Sequence, residues 1–319
     1  MSTEKPTWSV VIPNYNGGET LKACLNSVLH CAEQADRTDG EIIVVDDCSN
    51  DGSIDILKSY GNLIKLVILE ANRGFSNACN TGFRTASGDI VILLNNDVHC
   101  HPGLISAALK HFNDELLFAV SFRATDETGS MRAGRYLPVF KKGFLKGNPD
   151  DSQFADTQVS PTLFAAGGGT AFHRSKFLLL GGFDERMNPF YWEDADISYR
   201  AWKRGWSIIY DPECHIIHPM HGVIHNSFSN RIIYRISCRN QIIFNWKNID
   251  SPLFLASNLF FILFKLIGSL LQFKTDYPAA VRDAIRELPH IVIFRRLESS
   301  HRLKKDIEIF SIFSKKSTG

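Results

Sequence analysis

The chain has 319 residues and a mass of 35.9 kDa, with 44% hydrophobic and 22% charged residues, the balance of an ordinary globular protein. Its net charge of +1 excludes a nucleic-acid binder working by bulk charge, and 22 glycines with 12 prolines are too few for a fibrous or low-complexity chain. The length suits one large domain with an appendage, or two domains. Seven scattered cysteines (24, 31, 48, 79, 100, 214, 238) form no CxxC pair, so zinc-ribbon and thioredoxin motifs are excluded and a reducing compartment is expected. The opening MSTEKPTW has no apolar core of a signal peptide, so no secretory leader is expected.

Strand and helix signals alternate along the first half. Residues 8–13 read as a strand, and 19–30 as a helix with Leu21, Cys24, Leu25, Val28 and Leu29 on one face. A strand at 42–45 precedes a helix expected to be capped by Ser53, with Ile54, Leu57 and Tyr60 at helical spacing. Strands at 63–69, 90–94 and 118–122 alternate with helices at 77–85 and 103–112. The strands are near-continuous apolar runs, which predicts a parallel α/β sheet covered on both faces. Ligands of such sheets bind outside the carboxyl ends of the strands. There the chain is polar every time: Pro13-Asn-Tyr-Asn-Gly-Gly18, Asp46-Asp-Cys-Ser-Asn-Asp-Gly-Ser53, Glu70-Ala-Asn-Arg-Gly74 and Asn95-Asn-Asp97. Any one cluster is also what a turn uses; four on one edge describe a nucleotide-sized site.

Residues 124–160 lack periodicity and carry Arg132, Arg135, Lys141, Lys142 and Lys146, so a long functional or mobile connection is expected. Gly167-Gly-Gly-Thr170 follows in a strand-like context, where glycine implies a close approach of backbone or ligand. Trp192-Glu-Asp-Ala-Asp-Ile-Ser-Tyr-Arg200 opens a helix with three acids in its first turn. Acids favour helix N-termini through the dipole, but a carboxylate flanked by Tyr191 and Trp192 also suits a general base. His215, His218, His221 and His225 lie within eleven residues of one another. Their spacing matches no zinc finger, and one ligand to a hard divalent cation is the reading they support.

Several runs together resemble the inverting family 2 glycosyltransferases of the GT-A fold, especially the bacterial rhamnosyltransferase-like branch. They are Val10-Val-Ile-Pro-Asn-Tyr-Asn16, Val44-Val-Asp-Asp-Cys-Ser-Asn-Asp-Gly-Ser53, Asn72-Arg-Gly-Phe-Ser-Asn77, Leu94-Asn-Asn-Asp-Val98, Gly182-Phe-Asp-Glu185 and Trp192-Glu-Asp-Ala-Asp196. The resemblance covers residues 8–245. It implies that Pro13 and Tyr15 line the nucleotide pocket, that Asp46 or Asp47 accepts from the base, and that Arg73 lies beside the base or diphosphate. Asn95-Asn-Asp97 stands where the family has its Asp-x-Asp signature, with Asn95 in place of the first carboxylate. Asp97 is then the charged ligand for Mg²⁺ or Mn²⁺, Asn96 lies near the ribose, and His218 matches a further metal ligand. Asp194 matches the catalytic base with Glu193 beside it, and Gly168, Gly169 and Trp192 shape the acceptor side.

The function implied is transfer of a sugar, rhamnose first, from a dTDP- or UDP-sugar to a glycan or lipid-linked acceptor in cell-surface polysaccharide synthesis. The alternatives are a catalytically impaired nucleotide-sugar or glycan-binding relative, and a nucleotidyltransferase. The latter normally has a basic Gly-rich loop where this chain has Pro13-Asn-Tyr-Asn16. A dinucleotide oxidoreductase is disfavoured because no GxGxxG follows the first strand. A homo-oligomer is possible, and no nucleic-acid partner is expected.

The division expected is a transferase domain at 1–249 and a helical region at 250–319. Residues 253–273 form an apolar run long enough to cross a bilayer, but Asn258, Lys265, Ser269 and Gln272 fall on one helical stripe, which fits an in-plane or protein-packed amphipathic helix. From Lys274 onward ten Lys/Arg stand against six Asp/Glu, a bias suited to anionic lipid. The location implied is cytoplasmic, peripheral on the inner face of the membrane.

Overall fold

A computed structural model describes residues 6–35, 40–150, 157–218 and 228–314. Thus His221, His225 and the Arg132 side chain, named above, lie outside what is described.

The first three units follow the apolar runs closely. β1 (Trp8–Asn14) leads into α1 (Gly18–Gln34), β2 (Gly40–Asp46) into α2 (Ser53–Ser59), and β3 (Lys65–Ile68) into α3 (Phe75–Thr85). Ser53 does not cap α2. Gly52 holds that place at φ 85°, a left-handed value that suits glycine, and Ser53 Oγ turns back to Asp51 Oδ1 at 2.6 Å. β4 (Ile90–Leu94), the two-residue β5 (His99–Cys100) and α4 (Leu104–Leu109) precede β6 (Leu117–Thr125).

The stretch 124–150 departs from the sequence expectation. It is not an irregular connection but the end of β6, β7 (Met131–Ala133) and a hairpin of β8 (Tyr136–Lys141) and β9 (Phe144–Pro149). Apart from the buried Phe144 and Leu145 the strands of the hairpin are half-buried or exposed, so the alternation that reveals strands is weak. β10 (Ser160–Pro161), β11 (Gly169–His173), α5 (Arg174–Leu179), α6 (Glu193–Lys203) and β12 (Ser207–Ile217) follow.

The main sheet runs β10-β12-β6-β11-β4-β1-β2-β3. β4, β1, β2 and β3 are mutually parallel, as are β12 and β6, while β11 is antiparallel to both neighbours. The fold is therefore α/β with a mostly parallel sheet. One face packs on α1, with Leu21, Cys24, Leu25 and Val28 against Val10, Ile12, Val44 and Ile92. The other packs on α3, α5 and α6 through Phe83, Phe172, Phe177 and Phe183.

Five helices close the chain: α7 (Asn230–Asn248), α8 (Pro252–Leu271), α9 (Asp276–Arg286), α10 (Leu288–Glu298) and α11 (Asp306–Ser314). They share the core of the second face through Ile242, Ile262, Tyr277, Ala280, Ile291 and Ile309. Buried charge fastens them. Asp306 accepts from Tyr199 Oη at 2.7 Å and pairs with Lys203 Nζ at 2.5 Å, and these partners hold its carboxyl below the usual carboxylate range. Asp196 accepts from Arg200, Lys247 and Asn248 at 2.8–2.9 Å, tying α6 to α7.

Candidate active site

Side chains run across three strands at the carboxyl edge of β4, β1 and β2. Asn96 Nδ2 donates to Asn14 Oδ1 at 2.7 Å, and Asn14 Nδ2 donates to Asp46 Oδ2 at 2.7 Å. Asp46 is fully buried and accepts also from Ser49 N and Oγ at 2.8 and 2.7 Å. Asp47, 3% exposed, faces the next loop and accepts from the backbone N–H groups of Arg73 and Gly74, both at 2.8 Å. Burial raises its pKa against those two donors. With one bond on each oxygen Asp47 keeps a lone pair on both, whereas Asp46 keeps one. Pro13 is buried at the end of β1, and Tyr15 and Arg73 are exposed beside this edge.

The Asn95-Asn-Asp97 turn meets His218 through β5. That strand pairs with the end of β12 in the register Ile217↔His99, which carries His218 to the turn. His218 Nε2 lies 3.2 Å from Asp97 Oδ1 and 3.4 Å from Asn95 Nδ2. Asp97 Oδ1 is buried and accepts no hydrogen bond among the described residues. An orphaned carboxylate oxygen beside an imidazole fits a hard divalent ion whose other positions go to diphosphate oxygens and water. Among the described residues no three His, Cys, Asp or Glu side chains converge as a complete protein cage. His215, by contrast, bonds Thr125 Oγ1 at 2.9 Å and stacks on His101, and burial lowers its pKa.

On the far side of β4 stands the head of α6. Tyr191 and Trp192 both have left-handed backbones, φ 72° and 77°, a strained pair for non-glycine residues. The described contacts of Asn240 hold them there. This fully buried α7 side chain donates to the carbonyls of Met187, Phe190 and Tyr191 at 2.6, 3.0 and 2.9 Å. Trp192 lies over Phe244, its Nε1 3.4 Å from Ser237 Oγ.

Asp194, half-buried, accepts from Gly167 N at 3.1 Å and from Ala195 N at 2.7 Å. Burial raises its pKa, and those donors only partly offset it. Glu193 is 7% exposed with Oε2 unpartnered among the described residues, and burial together with the neighbouring Asp194 charge pushes its pKa up to about 8. Burial acts on both carboxyls in the same direction, and Glu193 also faces the Asp194 charge.

The two carboxylate loops meet at the glycines before β11. Asn95 N donates to Gly168 O at 3.2 Å, and Gly167, one residue earlier, donates to Asp194. A Cβ on Gly168 would lie 2.9 Å from Asn95 Nδ2, and one on Gly167 3.6 Å from Asp194 Oδ2. Gly169 instead faces Ile216 and Phe122 inside the sheet, so its lack of a side chain answers to packing. Phe75 joins this ridge to the Asp47 loop: its ring is 3.8 Å from where a Gly167 Cβ would sit.

Sequence reasoning singled out the run beginning at Gly167 for a close approach without giving Gly167 a site role, and it missed Asn240, Asn188 and Tyr136. Asn188 Nδ2 donates to Arg73 O at 2.6 Å, bracing the Asp47 loop. Tyr136 of β8 lies near enough to Asp194 that burial and that charge push its phenol up to about 12. Only Gly167 carried a signal, as the first of three glycines. The Gly182–Glu185 run proves to be a clasp, with Glu185 accepting from Asn77 and Asn80 at 3.0 Å each.

The pattern of glycosyl transferase family 2 matches residues 9–178, more than half the chain. The chain belongs to that family. Among curated relatives, the undecaprenyl-phosphate 4-deoxy-4-formamido-L-arabinose transferase of Serratia proteamaculans is 36% identical over 138 residues, 42% of this chain and 39% of its own. The match thus spans about two fifths of that relative's length. Among solved structures, GalNAc-T7 with UDP, GalNAc and Mn²⁺ has a TM-score of 0.61 at 21% identity, covering 77% of this chain and 48% of its own. S. aureus TarS 1-349 in complex with UDP-GlcNAc has a TM-score of 0.58 at 18% identity, covering 97% and 90%. At these identities the structures establish a GT-A-like fold.

Proposed function

We propose that this family 2 member is a metal-dependent inverting glycosyltransferase. Residues 1–249 would carry the transfer and 250–319 a helical extension. The observation that carries the reading is the glycine ridge: adjacent peptide groups of Gly167 and Gly168 bond Asp194 on one side and the Asn95-Asp97 turn on the other. On this reading a proton acceptor and a diphosphate-facing carboxylate stand on either side of one glycine ridge.

Asp47 accepts from the base of the donor with its spare lone pairs, Pro13, Tyr15 and Arg73 border the nucleotide, and Asn96 reaches the ribose. Asp97 and His218 would hold Mg²⁺ or Mn²⁺, which supplies Lewis-acid neutralisation of the leaving diphosphate. Asp194 takes the proton of the acceptor hydroxyl, whose oxygen bonds the anomeric carbon as the bond to the diphosphate oxygen breaks. Attack from the opposite face inverts the configuration. Trp192 and Gly168 border the acceptor, and the buried Glu193 stands beside Asp194.

The donor is a dTDP- or UDP-sugar. Motif resemblance puts dTDP-rhamnose first, while the UDP and UDP-GlcNAc bound by the structural neighbours favour UDP-hexoses. The acceptor is a glycan or a lipid-linked carrier. The undecaprenyl-phosphate acceptor named for the Serratia relative supports the latter, and with it a peripheral place at the membrane. A panel of UDP-, dTDP- and GDP-sugars, with and without Mn²⁺, tests this through nucleoside diphosphate release and thermal shift, since a ligand stabilises by RT ln(1 + [L]/Kd). Turnover with one donor class is expected. Stabilisation without turnover would favour the binding relative that Asn95 suggests, and no response to any donor would reject the reading.

A further inference from the structure

α8 is built inside out. Its polar side chains turn toward the protein: Asn258 is buried, donating to Gly143 O at 2.7 Å and accepting from Trp246 Nε1 at 3.0 Å. Lys265 reaches back over the Tyr277 ring at 4.1 Å. The outer stripe is Leu253, Phe260, Phe264, Ile267 and Leu271, spaced by 7, 4, 3 and 4 residues, with Leu263 beside it. Phe264 is 67% exposed, Leu271 76%, and Phe273 just beyond the helix 95%. Of the twenty residues of α8 only Asn258 and Ile262 are buried. A surface helix in water shows the reverse arrangement, and a patch of this extent marks a docking face.

The charge around the stripe selects its occupant. The β8–β9 turn packs on α8, since a Cβ on Gly143 would lie 2.7 Å from Ser257 O. That turn carries the exposed Lys141 and Lys142 beside α8, and the exposed Lys274 follows Phe273 past its end; these lysines make the basic rim of the helix. None of the three forms an ion pair among the described residues. No acid occurs between Asp250 and Asp276. A two-fold contact between copies would bring this rim against itself with no acid of the stripe to pair the lysines. An anionic lipid leaflet offers hydrocarbon to the stripe and phosphate to the rim.

We propose that α8 lies in the plane of an anionic phospholipid membrane, its outer stripe sunk among the acyl chains and the Lys141-Lys142 turn on the headgroups. The proposal rests on the membrane-surface reading above and names the face that makes the contact. On its protein side α8 touches α7, whose Ser237 meets Trp192, so the membrane face and the acceptor border share one helix.

Flotation of the full chain on vesicles of phosphatidylcholine, with and without phosphatidylglycerol, tests it. The chain should float only with phosphatidylglycerol. Lys141→Ala with Lys142→Ala should lower the partition about tenfold to thirtyfold, and Leu263→Asp with Phe264→Asp about a hundredfold. Donor-induced thermal shift should stay unchanged in both, showing that they fold and keeping this test separate from the catalytic one. Absence of flotation on anionic vesicles overturns the proposal. So does flotation of the double aspartate variant like the unmodified chain, or a dimer in light scattering that this variant dissolves without any vesicle binding.

Discussion

At the donor edge Asp46 accepts three hydrogen bonds and Asp47 two, whereas at the head of α6 Glu193 has an orphaned oxygen and Asp194 sits half-buried on two backbone donors. The first pair is held as a rigid acceptor by Asn14 at the end of β1 and by the loop residues Ser49, Arg73 and Gly74. Burial raises Asp47, Asp194 and Glu193 alike, and the second pair differs in Glu193, which alone of the four leaves an oxygen unpartnered among the described residues, beside the Asp194 charge. A binding carboxylate needs position, while a base needs a pKa nearer the working pH. On the proposed reading the first pair serves recognition and the second chemistry, so substitutions on either side should fail in different ways.

The largest effect is expected from Asp97→Ala. It removes the charged member of the Asp97–His218 pair and should lower turnover by about 10²–10³-fold with loss of Mn²⁺-dependent donor binding in calorimetry. Asn240→Ala leaves three carbonyls without their donor and should destabilise the fold by about 2–3 kcal/mol in urea unfolding. Because it loosens the Tyr191-Trp192 turn and not the donor edge, kcat should fall about tenfold with donor KM little changed. A parallel fall in donor affinity would blur the comparison. Gly17→Ala attacks the other side. Gly17 has φ −80°, so alanine is not strained, but its Cβ would collide with Asn14 Oδ1 and Asn96 Nδ2. Donor KM should rise about fivefold to tenfold, the loss of roughly one hydrogen bond, with kcat nearly unchanged.

The smallest effect sharpens the Glu193 assignment. A carboxyl whose folded pKa is raised stays neutral in the fold while the unfolded chain ionises. Stability should therefore fall as pH climbs from the ordinary glutamate value toward about 8, the folded value. Thermal unfolding of the unmodified chain should show that decline, and Glu193→Gln should flatten it. An unchanged slope would remove Glu193 as its source.

The donor edge was legible because its parts are local. Each polar cluster follows an apolar strand, and a parallel sheet lines up such ends whatever the rest of the chain does. Of the proposed acceptor side, the sequence singled out Asp194 and its neighbours. Asn240 lies mid-helix among Ile236, Ile242 and Ile243, where nothing in the pattern sets it apart from a solvated position. The 124–150 region hid its strands because a half-covered hairpin does not alternate cleanly. The polar stripe of α8 was visible, but its direction was not: periodicity tells which residues share a face, and only the packing of Asn258 on Gly143 and Trp246 tells which face turns inward.

The central claim is that Asp194 takes the acceptor proton across the glycine ridge from the donor. Asp194→Asn tests it most directly, with donor affinity and turnover measured on the same preparation. Donor Kd within about twofold and kcat lowered at least about a hundredfold is the expected result, together with an acid limb of kcat in the unmodified enzyme lying above the ordinary aspartate range. Near-normal turnover by the Asp194→Asn enzyme would contradict the account.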